Sequence, residues 1–204
     1  DMYAKGSAFI HTLRSVVDND SLWFDLFKSM TNHFKHQTVD GREVLDYINE
    51  KSGRNFDKLY EVAYCATVNL NKVIDLNYYP TPETKVSNMK HRPIGLGIQG
   101  LADAYALMRY PYESEEANDL NRKIMETIYY GALKASVDMA KKDGHYQTFK
   151  GSPFSQGKLQ YHLWNEKPTF EKWDWDSLIQ DVKTYGTRNS LLTSLMPTAS
   201  TSQI

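Results

Sequence analysis

Cysteine is almost missing from this sequence. Cys65 is the only one among 204 residues, which excludes an internal disulfide framework and a cysteine-based zinc site. An excess of one charge is missing as well. The 24 basic and 25 acidic residues leave a formal net charge of -1, so nothing marks the chain for nucleic acid or an anionic membrane. No apolar run reaches membrane-spanning length, and no basic stretch followed by an apolar one opens the chain. There is no internal repeat and no low-complexity segment. What remains is a globular protein expected in the cytoplasm, with neither nucleic acid nor membrane as partner.

What is present is ordinary in amount. Hydrophobic residues make up 41% and charged residues 24%, enough for one sizeable core. The 14 Tyr, 8 Phe and 4 Trp point to thick layers or interfaces. The chain opens at Asp1 and stops at Ile204, and the expectation is a piece of something larger.

In chain order, apolar spacing predicts a helix over about Ala4 to Val17 and a second from Asp20 or Ser21, with the stripe Leu22, Leu26, Phe27, Met30 and Phe34. His33 and His36 near its end could be two metal ligands on one face, or a cationic last turn that suits the helix dipole. A third helical pattern starts at Asp40. Phe56 to Leu76 is the clearest helix of the first half, with Leu59, Val62, Ala63, Ala66, Leu70, Val73 and Ile74 as its apolar face. Cys65 lies beside that face and reads as a small packed residue. Pro80 and Pro82 predict an extended excursion.

Gly95, Gly97 and Gly100 spell G-x-G-x-x-G before a helix through Met108. A dinucleotide fingerprint needs a long apolar strand before it and a second strand ending in an acid after it. Only Pro93 and Ile94 precede, and a helix start follows at Ser114. A strand-to-helix corner that glycines let pack closely fits better. Ser114 caps a long helix to Asp143, with Gly144 just past its end. Gly131, Ala132 and Ala135 leave its stripe thin, so another element can approach. Tyr146 to Trp175 is irregular and aromatic, which suggests a surface excursion. A helix over about Asp176 to Thr184 then leads to a buried strand at Leu191, Leu192, Leu195 and Met196, ended by Pro197. Strand, helix, strand at this spacing implies a parallel crossover in an α/β sheet or barrel. The small residues Thr198, Ala199, Ser200 and Thr201 follow at the carboxyl end of that strand. Their amides could hold a phosphate, with a helix dipole behind them, or the stretch could merely cap a helix.

Four stretches together carry a family resemblance. They are Asn69–Pro80 (NLNKVIDLNYYP), His91–Ala104 (HRPIGLGIQGLADA), Glu126–Leu133 (ETIYYGAL), and Tyr185–Leu192 with Met196–Thr201 (YGTRNSLL and MPTAST). Gly151–Pro153 and Leu159–Tyr161 fit as well. From about Phe56 onward the chain resembles the large (α) subunit of class I ribonucleotide reductase, eukaryotic-type branch. The resemblance implies an α/β fold, the helix-rich part of a ten-stranded α/β barrel, behind a mostly helical N-terminal stretch. Residues 1–55 have no clear match, and 56–204 would be a partial barrel domain ending at the phosphate loop. It implies reduction of ribonucleoside diphosphates to deoxyribonucleoside diphosphates for DNA precursor synthesis. Thr198, Ala199, Ser200 and Thr201 would hold the substrate diphosphate. No cofactor is expected in this chain; the family uses a metal-radical cofactor in its small subunit and nucleoside triphosphate effectors. Implied partners are the remainder of the large subunit, the small subunit, the ribonucleoside diphosphate and a second large subunit.

The family's catalytic cysteine sits in an Asn-x-Cys-x-Glu pattern, and two further cysteines form its reducing pair. Cys65 lies in Ala63-Tyr-Cys-Ala-Thr67, without the Asn or the Glu, so no catalytic residue is expected here and the chain alone should be inactive. Two other readings remain. One is a non-catalytic scaffold or interaction protein derived from a reductase. The other is a dinucleotide-binding domain.

Overall fold

The computed structural model describes residues 20–35 and 55–197. The expected helices over Ala4–Val17 and from Asp40, together with His36 and residues 198–201, lie outside the described residues. The chain divides after Lys58 into two compact units. In the first, α1 spans Asp20–His33, as its apolar spacing predicts. Leu26 is buried on it, and the His33 ring meets Phe34 edge-on at 4.7 Å.

The second unit is built on helices. After α2 (Asn55–Leu76), which belongs to this unit from Leu59 onward, come α3 (Pro82–His91), α4 (Leu101–Met108), α5 (Glu115–Asp143), α6 (Gln160–Leu163) and α7 (Trp175–Tyr185), with a 3-10 turn at Phe154–Gln156. The centre is α5. Ser114 caps it, its hydroxyl accepting from Ala117 N at 3.2 Å, and the Gly144 amide closes the far end on Ala140 O. Ala132, Leu133, Ala135 and Val137 are fully buried along it. Leu159, Trp175, Leu178, Val182 and Leu192 pack into one core with Ala132, Leu133 and Val137. The thin stripe has the expected consequence. A Cβ on Gly131 would stand 2.9 Å from Tyr60 O and 3.2 Å from Ala63 Cβ, so α2 packs backbone-close against α5.

Four expectations need correction. Pro82 does not continue an extended excursion; it is the first residue of α3, where its missing N–H costs nothing, and Thr81 caps that helix. The buried line of α2 is Ala63, Thr67, Asn71 and Ile74, while Val62 and Val73 are exposed. That face meets a buried guanidinium, so half of the line is polar. Cys65 is exposed rather than packed; its thiol accepts weakly from Asn69 Nδ2 at 3.7 Å. Finally, of the expected buried strand only Leu192 is buried, at 3% exposure, while Leu191 and Leu195 are each 63% exposed. One face of the segment packs on the helices, and among the described residues nothing covers the other.

The irregular stretch from Tyr146 to Trp175 is pinned to α5 by aromatic rings. Trp173 stacks on Tyr130 at 5.0 Å and on Tyr60 at 5.2 Å. Trp175 meets Tyr130 edge-on at 5.1 Å and Tyr161 at 5.3 Å. The Glu126 carboxylate accepts from the amides of Thr169 and Phe170, both at 2.9 Å. Rings and a charged acceptor replace regular backbone pairing there.

Candidate functional site

Two extended segments come together, and they are the two stretches marked by the glycine corner and the final apolar run. Ser190 N donates to His91 O at 3.2 Å, Ile94 N to Leu191 O at 3.1 Å, Leu96 N to Leu192 O at 2.8 Å, and Ser194 N to Leu96 O at 3.0 Å. The direction is parallel, with a bridge between Leu96 and Thr193. Between Ile94 and Leu96 one side advances two residues while the other advances from Leu191 to Leu192 only. This one-residue slip is a bulge, and it explains why the described residues form a bridge rather than a regular strand.

Gly97 owes its place to this contact. A Cβ there would fall 2.5 Å from Ser194 O, closer than any side chain tolerates. The glycine corner is thus a site of close approach between two backbones, followed directly by α4.

Behind the pair lies a buried polar network. Arg92, 3% exposed, closes α3 in a left-handed conformation with φ 47°. Its guanidinium donates to both Asp75 carboxylate oxygens, at 2.8 and 2.7 Å. It also donates to Asn71 Oδ1 at 3.1 and 3.0 Å and to Asn71 O at 3.1 Å. Those bonds hold the Asp75 carboxyl below its usual range, partly offset by burial. Asn189 is fully buried. Its Nδ2 donates to Asn71 Oδ1 at 3.1 Å and to Arg92 O at 3.0 Å. Its Oδ1 accepts from the Ser136 hydroxyl at 3.0 Å, and its N–H donates to the same hydroxyl at 3.0 Å. Next to it, Arg188 Nη1 donates to Asp143 O and Gly144 O at 3.1 and 3.0 Å, at the carboxyl end of α5. Burial, with Arg92 nearby, lowers the Arg188 pKa from its usual value.

A cleft of about 210 Å³ runs beside residues 190–193, lined also by Tyr129, Phe154, Lys158 and Gln160. Burial pushes the Tyr129 hydroxyl up to about 12, and it accepts from Gln160 N at 3.2 Å. At neutral pH this phenol is a hydrogen-bonding group and not a base. A larger open concavity of about 730 Å³ lies along residues 161–179 and shares no lining residue with the cleft. No cluster of three metal-ligating side chains occurs among the described residues, and none of their helices is long and apolar enough to cross a membrane.

The sequence reading missed the Arg92 network. The signal was available: Thr67, Asn71 and Asp75 recur every fourth residue beside Ala63 on a helix otherwise read as apolar. A polar line inside a buried face demands a partner. The expected phosphate residues Thr198, Ala199, Ser200 and Thr201 lie outside the described residues, directly after Pro197.

The described residues are helical with no regular strand, and their one parallel bridge is consistent with a piece of an α/β domain. The comparisons make that specific. The family model "Ribonucleotide reductase, barrel domain" matches residues 36–204, and the chain belongs to that enzyme family. It is 59% identical over 150 residues to the ribonucleoside-diphosphate reductase large chain 2 of Saccharomyces cerevisiae, covering 74% of this chain and 17% of that one. It is 55% identical over 155 residues to the large subunit from Plasmodium falciparum, covering 76% and 19%, and 57% identical over 150 residues to that of Vaccinia virus, covering 74% and 19%. The chain thus spans less than a fifth of these relatives' length.

Proposed function

We infer that this chain is a working part of a ribonucleoside-diphosphate reductase large subunit. In this reading residues 56–204 belong to a ten-stranded α/β barrel, contributing scaffold and the loop Thr198, Ala199, Ser200 and Thr201 for the substrate diphosphate. The whole subunit reduces ribonucleoside diphosphates to deoxyribonucleoside diphosphates in the cytoplasm. It works as a large-subunit dimer with a small subunit that carries the metal-radical cofactor, under nucleoside triphosphate effectors. No residue of this chain is assigned to that cofactor or to catalysis.

The observation that carries the reading is the parallel pairing of Leu96 with Thr193. Parallel segments end at the same edge, and in α/β proteins ligands gather at the carboxyl ends. Pro197 has no N–H to extend the ladder. The next four residues are small and mostly hydroxylated, which lets their amides reach phosphate oxygens. No lysine or arginine lies among them, so hydrogen bonds must do the holding. Each such bond to a charged oxygen contributes roughly 1.5–3 kcal/mol.

The test is ribonucleoside diphosphate affinity in the full-length large subunit that contains this chain. Ser200→Ala and Thr201→Ala should each weaken it by roughly tenfold or more, while the unphosphorylated nucleoside binds as before. Equal losses for both ligands, or none, would leave the stretch as a helix cap and favour the scaffold reading.

A further inference from the structure

We propose that Asn189, through Ser136, Asn71 and Arg92, is a positioning residue that sets the register of the 91–96 and 189–194 pair and thereby the place of the chain leaving Met196. The proposal rests on the reading of 198–201 as the diphosphate loop. It starts from the pair as the described residues form it. The ladder is short and bulged, and of the residues 191, 192, 195 and 196 only Leu192 is buried. Register is strongly specified when alternating apolar residues line a buried face, and a one-residue slip turns every side chain over. Among the described residues only Leu192 does that work on the 189–194 segment.

Asn189 fixes the pair from just outside the ladder. Each of its side-chain hydrogen-bonding groups has a partner on a different element: Asn71 on α2, Ser136 on α5, and the carbonyl of Arg92 in the facing segment. Its N–H is also held by Ser136, and its carbonyl accepts from Thr187 Oγ1 at 3.0 Å. A slip of one residue would move all of these groups by about 3.3 Å and leave them buried and unpaired. Arg92 completes the lock from the other side. Its left-handed backbone aims its carbonyl at Asn189, and its guanidinium is gripped by Asn71 and Asp75. The arrangement is anchored before the ladder begins, and the ladder transmits it to Ser194 and beyond.

The experiment uses the full-length large subunit, with a ribonucleoside diphosphate and the same nucleoside without phosphates as probes. Asn189→Ala removes the lock. Ser136→Ala removes one buried hydroxyl and adds no volume, so it keeps the test open if the first variant folds poorly. Ile128→Ala, at a buried α5 position outside the network, is a control for general destabilisation. Amide exchange is read at Leu96 and Ser194, against Leu133 and Val137 in α5. In both network variants, exchange at Leu96 and Ser194 should rise while α5 stays protected. Diphosphate affinity should fall about tenfold or more, the scale of one hydrogen bond to a charged oxygen lost, with nucleoside affinity little changed. The control should show neither the selective exchange nor the split between ligands.

Unchanged exchange at Leu96 and Ser194 in both variants overturns the register role. Loosened exchange with full diphosphate affinity overturns the positioning role, provided Ser200→Ala still weakens diphosphate binding. If Ser200→Ala has no effect, the loop reading itself fails and the positioning role falls with it, while the exchange data still decide the register.

Discussion

Replacing Gly97 with alanine tests how closely the two extended segments approach. The added Cβ would lie 2.5 Å from Ser194 O and 3.1 Å from Met196 Cε. The methionine end can swing away, but the carbonyl belongs to the backbone. A carbon and a carbonyl oxygen rest at about 3.3 Å or more, so the segments must part by about 1 Å. That opens the bonds Ser194 N to Leu96 O and Leu96 N to Leu192 O, now 3.0 and 2.8 Å, beyond useful length. Overpacking costs about 1–3 kcal/mol, and each net hydrogen bond lost costs about 0.5–1.5 kcal/mol. The sum is about 2–6 kcal/mol, which for a chain of this size lowers Tm by roughly 4–24 °C. Gly95→Ala is the graded comparison. Its Cβ would meet only the Ser194 side chain, at 3.0 Å, and a shift of a few tenths of an ångström relieves it. Thermal unfolding followed by circular dichroism measures both. An unchanged Tm for Gly97→Ala, or equal losses for the two variants, would refute the close-approach reasoning. A cofactor loop would give a different result, lost dinucleotide binding at constant Tm.

Gly131→Ala should push α2 away from α5, because its Cβ would meet Tyr60 O at 2.9 Å; a loss of about 1–3 kcal/mol in urea unfolding is expected, and no loss would show that the helices have room. Burial raises the Tyr129 and Tyr161 hydroxyls to about 12 from 10.0, so the folded chain keeps protons that the unfolded chain gives up. Their contribution is full below pH 10.0 and lost as pH rises toward 12. Urea midpoints should therefore fall across that alkaline range, less steeply in Tyr129→Phe, and identical slopes would contradict the assignment.

By itself the sequence determined the elements whose causes are local. Ser114, the acidic first turn and Gly144 bounded α5, and apolar spacing located α2 and α7 to within a residue or two. The small residues of α5 foretold a close neighbour, and the flanks of the glycine corner argued against a dinucleotide loop. Proline was misread at Pro82, because a residue that breaks a helix interior also starts one. Tertiary structure alone decided the rest. A parallel crossover was implied by the order strand, helix, strand, but that Leu96 meets Thr193 across the length of α5 and α7 is a choice no local pattern makes. The Arg92–Asn71–Asn189–Ser136 network gathers residues from four separate stretches, and beyond the polar line of Asn71 on α2 no local pattern announced its members. Whether an asparagine is a solvated surface group or a buried lock depends on what the fold brings against it, because desolvation makes an unpaired polar group costly only where water is excluded.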